Sequence, residues 1–299
     1  RIMAADGTSG LVVCDLDGTL IGDDEATVRF FSALRSWERD GWSLVYCTGR
    51  TRENTEALHN GTAKPGTTPN NCTPKLEEPA WGIYATGVEI RQSGHGDPFE
   101  PWREQLSSHW NRAEIRRIVL SLPGVTEQGD VGVSWTEAMI HASQQQHDFR
   151  IAAFFNPVND AGISAEEVKA KLASELEAKG FQAACHTSTF PGMEQHYFDI
   201  FPLNADKGKA IRFLRNHLQV PGERVIVCGD SGNDIDMIRE VCEDGGRAVV
   251  VGNSRPELLS WVQAEGQATK KIIHTTGTYA SGVIEGVQRH IQELGESPV

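Results

Sequence analysis

From Leu11 to Leu294, short apolar runs alternate with longer amphipathic stretches. Runs of strand character cover residues 11–14, 44–47, 82–85, 225–228 and 248–251, with a weaker one at 272–274. Apolar residues at helical spacing cover 25–39, 207–218, 256–264 and 279–294. Apolar strands separated by helices predict an α/β fold with a Rossmann-like, mainly parallel sheet covered on both faces. Such a sheet binds ligands beyond the carboxyl ends of its strands. Polar residues directly after the apolar runs are therefore the candidates for chemistry.

The rhythm breaks between residues 92 and 203. A helical segment at 101–122, closed by Pro123 and Gly124, is followed by strand candidates at 132–135 and 149–155. A helix at 164–179 opens on Ser164 with Glu167 three residues later, a capping box. Strand candidates at 181–186 and 195–201 complete an α-β-β-α-β-β order. This predicts two domains: a discontinuous core of 1–91 and 204–299, and an inserted α+β domain of 92–203. Residues 60–79, rich in Pro, Thr, Asn and Gly, read as a mobile surface loop with no assigned function.

A chain of 299 residues is long enough for two such domains. Its net charge of −13 argues against nucleic acid or an anionic membrane as partner. No apolar run approaches the ~20 residues of a membrane helix, and the start of the sequence carries no signal pattern. Six scattered cysteines (Cys14, Cys47, Cys72, Cys185, Cys228, Cys242) form no C-x-x-C pair. They read as reduced core residues, which fits a cytoplasmic protein.

Four segments bring polar groups to the predicted strand ends. In "DLDGT", Asp15 directly follows its strand and is placed to attack a phosphorus atom. Asp17, one residue further, can serve the leaving oxygen and then a water as acid and base. Gly18 lets the backbone turn. In "CTGR", the Thr48 hydroxyl and the amides of Gly49 and Arg50 can cradle phosphate oxygens. Lys207 lies one turn before the apolar stripe Ile211, Leu214 and Leu218, so a helix docked on the sheet aims its ammonium at the strand ends. In "CGDSGND", Asp230 and Asp234 are four apart and share a face if the segment coils. With Asp15 they form an all-oxygen site suited to Mg²⁺. That ion removes the electrostatic objection to Asp15 beside Asp17.

These segments, in this order, resemble the four motifs of the haloacid dehalogenase superfamily. The "NADK" run at Lys207, "EPWREQLSSHW" from Glu100, "GNSRPELLSW" from Gly252 and "ASGVIEG" from Ala280 resemble the sucrose-phosphatase family. The resemblance implies an Mg²⁺-dependent phosphatase acting on a small-molecule sugar phosphate through an aspartyl-phosphate. Asp15 would be nucleophile and metal ligand. Asp17 would be acid/base and lend its carbonyl to the metal. Thr48 and Lys207 would hold the phosphate. Asp230 would bind Mg²⁺, with Asn233 near the phosphate and Asp234 supporting the metal shell. The insert would be a cap over the sugar. Sucrose 6-phosphate is the expected substrate, with mannosylfructose or trehalose phosphate as alternatives. A non-catalytic sugar-phosphate-binding domain serving a synthase partner is the rival of another class. The turn from Ser188, "STFPGMEQHYFDIFP", departs from the shorter turn of the sucrose enzymes, which bears on the sugar rather than the phosphate.

Weaker candidates are His186 and His196 for sugar hydroxyls, Trp102, Trp110 and Trp135 for stacking on a sugar, and Glu89 for a substrate contact. For each, packing is the commoner use.

Overall fold

The computed structural model describes residues 9–64, 66–93, 96–127, 147–156, 162–189, 196–265 and 271–295. The chain divides into two compact units, Arg1–Phe99 with Asp206–Val299, and Glu100–Ala205. Numbered along the chain, the described strands are β1 (Gly10–Cys14), β2 (Trp42–Cys47), β3 (Trp81–Tyr84), β4 (Glu89–Gln92), β5 (Val125–Thr126), β6 (Ile151–Phe155), β7 (Ala183–Thr189), β8 (His196–Pro202), β9 (Val225–Gly229), β10 (Arg247–Val250) and β11 (Ile272–His274).

The first unit holds a seven-stranded sheet in the order β11-β10-β9-β1-β2-β3-β4. All neighbours are parallel except the β3–β4 pair. Every residue of β1 and β9 is buried, as strands covered on both faces require. Cys14 lies opposite Tyr46 of β2 and Cys228 of β9. The residues that follow these three therefore emerge together at one sheet edge. The chain runs outward from β1 through β2 on one side and through β9 on the other, so this edge is a topological switch point.

Helices cover the sheet where the apolar spacing predicts them. Helix Asp24–Arg39 starts on Asp23, whose carboxylate accepts the Ala26 amide at 3.0 Å, and buries Phe30, Phe31, Leu34 and Trp37. Helix Lys207–His217 starts on Asp206, which accepts the Lys209 amide at 2.7 Å. These caps fix the first turn. Among the described residues no helix is long and apolar enough to cross a membrane.

Three features of this unit differ from the sequence expectation. Helix Arg52–His59, only eight residues long, is anchored by the Thr51 hydroxyl rather than by a long apolar stripe. β4 folds back on β3 through a turn with left-handed Ala85, Thr86 and Gly87. A side chain at Gly87 would come within 2.4 Å of the Asp206 carbonyl oxygen, so glycine lets the helix carrying Lys207 start against this turn. Residues 60–79 are not a detached loop: Ala63, Cys72 and Leu76 sit in the hydrophobic core.

In the second unit, β5-β6-β8-β7 form an antiparallel sheet. Helices Arg112–Ser121 and Ala165–Ala178 bury Ile115, Ile118, Val168 and Leu172 with Ile151, Phe155, Phe198 and Ile200. The capping box on Ser164 and Glu167 forms. The expected helix 101–122 is two, Glu100–Ser107 and Arg112–Ser121. Ser107 and Ser108 bond back to the carbonyls of Arg103 and Gln105, His109 turns left-handed, and Asn111 caps the second helix. Short polar side chains thus outcompete a continuous helix. The expected strand at 132–135, and Trp135 with it, lie outside the described residues.

His290 of helix Tyr279–Glu293 is fully buried, with Nε2 3.0 Å from the Ala248 carbonyl, so Nε2 carries the proton and donates. Burial lowers its pKa, against the opposing pull of Ala248 and Glu293. The unfolded chain takes up a proton below about pH 6.5, whereas the folded one does so only at lower pH. The His290 contribution to stability therefore falls as pH drops below that point and is constant above it. Urea unfolding of the parent and of His290→Gln is expected to differ by this component; identical pH dependence in the two would refute the assignment.

Candidate active site

The residues leaving β1 and β9 converge on one lysine. Asp15 continues the ladder, its amide donating to the Cys228 carbonyl at 3.0 Å. Lys207, the first residue of its helix and 1% exposed, places Nζ 2.7 Å from Asp15 Oδ1 and 2.7 Å from Asp234 Oδ1. Asp234 Oδ2 accepts the amides of Asp230 and Ser231 at 3.0 and 3.1 Å, which closes the turn after β9. Asp230 Oδ1 accepts the Thr19 hydroxyl at 3.1 Å. Carboxylate oxygens of Asp15, Asp230 and Asp234 lie within 4.8 Å of one another, all three residues buried.

The electrostatics of this cluster are unbalanced. Burial pushes the Asp15 carboxyl well above the ordinary range; Lys207 pulls it down, and Asp234 and Asp230 add to the rise. Burial and then Asp234 push Asp230 up to about 6, against Thr19, Arg255 and Lys207. Burial favours a neutral Lys207, but Asp15 and Asp234 outweigh it and keep the ammonium charged. Three buried carboxylates thus share one buried ammonium. More positive charge would favour the ionised forms of Asp15 and Asp230, which is the condition for binding a hard divalent cation. Gly18 leaves room beside Asp230: its φ is +87°, and a side chain there would come 2.4 Å from Asp230 Oδ2.

Asp17 sits in a different environment. Both of its oxygens accept from Arg50, Oδ2 from Nε and Oδ1 from Nη2, at 2.6 Å each. Its side chain is 38% exposed. Arg50 Nη2 also donates to the Thr67 carbonyl at 2.5 Å. Thr48 is buried after β2, and its Oγ1 accepts the Arg50 amide at 3.1 Å. That amide is therefore engaged within the turn, while Gly49 leads into it. Asn233 is exposed on the turn after β9, its Oδ1 accepting from the Ser231 hydroxyl at 3.0 Å.

Asp15, Lys207, Asp230 and Asp234 thus form one buried cluster, and Asp17 joins the Thr48–Arg50 turn through the Arg50 guanidinium. Sequence reasoning missed the Thr19 hydroxyl on Asp230, although it stands two residues after Asp17. It also missed Asn253, which donates to the Gly18 carbonyl at 2.7 Å and accepts the Tyr279 amide at 2.7 Å. Of the weaker candidates, Trp102 is fully buried and the Trp110 ring nitrogen donates to the Asp148 carbonyl at 2.9 Å. The His186 ring meets Phe201, His196 lies beside Phe155, and Glu89 is buried against Arg91. Trp102 and Glu89 are buried, whereas Trp110 and His196 are half-buried and His186 is exposed.

A mainly parallel sheet, an aspartate at the end of its central strand and an inserted α+β unit define the haloacid dehalogenase-like class. Solved structures share this fold. One is the sucrose-phosphatase of Synechocystis sp. PCC6803 in complex with sucrose and phosphate, 24% identical with a TM-score of 0.67, covering 95% of this chain and 98% of that one. Another is a haloacid dehalogenase-like hydrolase protein of Bacillus subtilis, 14% identical with a TM-score of 0.62, covering 99% of this chain and 94% of that one. Within the class, the family model of sucrose-6F-phosphate phosphohydrolase matches residues 8–291, and the chain belongs to that family. Sucrose-phosphatase 1 of Nicotiana tabacum is 26% identical over 93% of this chain and 58% of its own length. Mannosylfructose-phosphate phosphatase of Agrobacterium fabrum is 26% identical over 93% of this chain and 95% of its own length. The chain spans 58–59% of the length of the plant relatives that match it first.

Lys207→Met leaves Asp15 and Asp234 buried without their cation. The expected loss of unfolding free energy is about 3–5 kcal/mol at neutral pH, measured by urea denaturation without added metal. A loss below about 1 kcal/mol, the range of exposed ion pairs, would show that Lys207 does not hold the cluster.

Proposed function

We propose that the chain is an Mg²⁺-dependent phosphatase of sugar phosphates, hydrolysing sucrose 6-phosphate to sucrose and phosphate through an aspartyl-phosphate. The observation that carries this reading is the buried Asp15–Lys207–Asp234 cluster, with Asp230 beside it and Asp17 held apart on Arg50. A binding module has no need of a desolvated carboxylate at that strand end.

Lys207 engages Oδ1 of Asp15, which leaves Oδ2 to form the bond to phosphorus. As that bond forms, the bond from phosphorus to the sugar oxygen breaks, and the oxygen takes a proton from Asp17. Water then attacks the phosphoryl group and gives a proton to Asp17. The bond between Asp15 and phosphorus breaks, and inorganic phosphate leaves. Lys207, the Thr48 hydroxyl and the Gly49 amide stabilise the phosphoryl oxygens, with Asn233 at the rim. The donor set fits Mg²⁺: carboxylate oxygens without His or Cys, in excess over the one ammonium. Asp15, Asp230 and the Asp17 carbonyl would hold the ion, with Asp234 fixing the turn beneath. When bound, it would neutralise the carboxylates and draw charge from the phosphoryl oxygens. Several such contributions are needed. Uncatalysed phosphate-monoester hydrolysis calls for up to ~10²¹-fold acceleration, and one acid/base residue supplies about 10²–10⁴.

Mannosylfructose phosphate is the second reading, supported by the Agrobacterium fabrum relative, which this chain matches over nearly its full length. A panel of sucrose 6-phosphate, mannosylfructose phosphate and trehalose phosphate, followed by phosphate release, separates the two. Sucrose 6-phosphate is expected to give the highest kcat/KM, and Asp15→Asn to abolish release from every member. An active Asp15→Asn variant would overturn the nucleophile, and a preference for another sugar would overturn the substrate.

A further inference from the structure

The segment from Gly66 to Thr73 looks from sequence like a surface loop, yet it touches the site through its backbone. The Thr67 carbonyl accepts from Arg50 Nη2, the same nitrogen that donates to Asp17 Oδ1. The segment is built to hold that carbonyl in place. The Gly66 amide donates to Asn71 Oδ1 at 2.7 Å, and the Thr68 hydroxyl donates to the Cys72 carbonyl at 2.6 Å. Asn70 and Asn71 are both left-handed, at φ 55° and 54°. Asparagine tolerates that region better than most residues, and two in succession are held only where their surroundings impose it.

Those surroundings are the loop that carries Asp17. Asn70 Nδ2 donates to the Gly22 carbonyl at 3.0 Å and to the Tyr279 hydroxyl at 2.9 Å. Gly22 sits five residues after Asp17, and the Tyr279 ring occupies the space a side chain at Gly22 would fill. The Tyr279 amide donates to Asn253, which itself donates to the Gly18 carbonyl. On the far side, the Thr73 amide donates to Asp24 at 2.9 Å, and Cys72 is buried in the core. One network therefore ties the Asp17–Gly22 loop, the Gly66–Thr73 segment and the Arg50 guanidinium together.

We propose that Asn70 and Tyr279 are positioning residues for the acid/base carboxylate. They clamp the Gly66–Thr73 segment so that the Thr67 carbonyl fixes Arg50, and Arg50 in turn fixes both oxygens of Asp17. This deepens the functional reading above and rests on its assignment of Asp17. A guanidinium shared between a carboxylate and a fixed carbonyl has no freedom to swing away, so when one Asp17 oxygen gives up its Arg50 bond to carry the proton, the other still holds the carboxyl in place.

The test separates proton donation from the rest of the chemistry by the leaving group. A sugar alkoxide needs a proton to depart, whereas 4-nitrophenolate does not. Tyr279→Phe keeps the ring against Gly22 and removes the hydroxyl; Asn70→Gly keeps the left-handed backbone and removes the amide. Leaving-group release is followed in a single turnover, so the later use of Asp17 as base does not enter. Both variants are expected to slow sugar release from sucrose 6-phosphate by about tenfold, a fraction of the 10²–10⁴ of an acid/base group. Release of 4-nitrophenolate from 4-nitrophenyl phosphate is expected to change by less than about twofold, as it draws nothing from that term. An equal fall on both substrates, or no fall on either, would overturn the positioning role. A parent protein that releases neither leaving group would instead sink the phosphatase reading. The clamp is then decided by a crystal structure of Asn70→Gly, where the Arg50 contact to Thr67 is expected to be lost; its retention would overturn the proposal.

Discussion

One buried ammonium organises the first unit's carboxyl edge. Two unit charges 4 Å apart attract by about 4 kcal/mol at the effective dielectric of a protein site, and burying each ion costs several. A single carboxylate would leave Lys207 close to break-even. The fold gives it two, Asp15 from the first strand and Asp234 from the turn after β9. Asp234 is itself braced by two amides of that turn. The lysine therefore joins three segments that are far apart in sequence. The register of β1 between β2 and β9 brings those segments to the same height.

The same arrangement leaves a deficit of positive charge. Asp230 is buried beside the cluster with a hydroxyl rather than a cation as its partner. Gly18 keeps side-chain atoms away from it. Burial raises the proton affinity of Asp15 and Asp230, and added positive charge at this edge would offset that rise. Asp17 escapes this competition. It lies outside the ammonium's reach on an arginine of the next strand end, partly open to solvent. Two carboxylates one residue apart thus occupy separate electrostatic environments, as the proposed division into nucleophile and proton carrier requires.

The architecture was legible in sequence because parallel strands buried on both faces must be apolar throughout. "LVVC", "VIVC" and "AVVV" announce themselves as strands, and the stripe Ile211 and Leu214 orients the helix that carries Lys207. What remained hidden depends on partners that spacing does not encode. Nothing in "CTGR" says that the Arg50 guanidinium will close on Asp17 while its amide closes on Thr48. Helix Arg52–His59 is too short to show a period, and the break at His109 follows from serine and asparagine side chains competing for backbone groups. Residues 60–79 read as a loop by composition, yet Cys72 and Leu76 reach the core and Asn70 reaches Gly22, contacts that only the folded chain can create.

The account stands on Asp15 as the group that takes the phosphoryl unit from the sugar. Rapid quenching during turnover of sucrose 6-phosphate, followed by proteolysis and mass spectrometry, reads this directly. The expected result is the added mass of one phosphoryl group on the peptide containing Asp15, absent when Asp15 is asparagine. Turnover with no phosphorylated peptide at any quench time, or with the added mass on another residue, would contradict it.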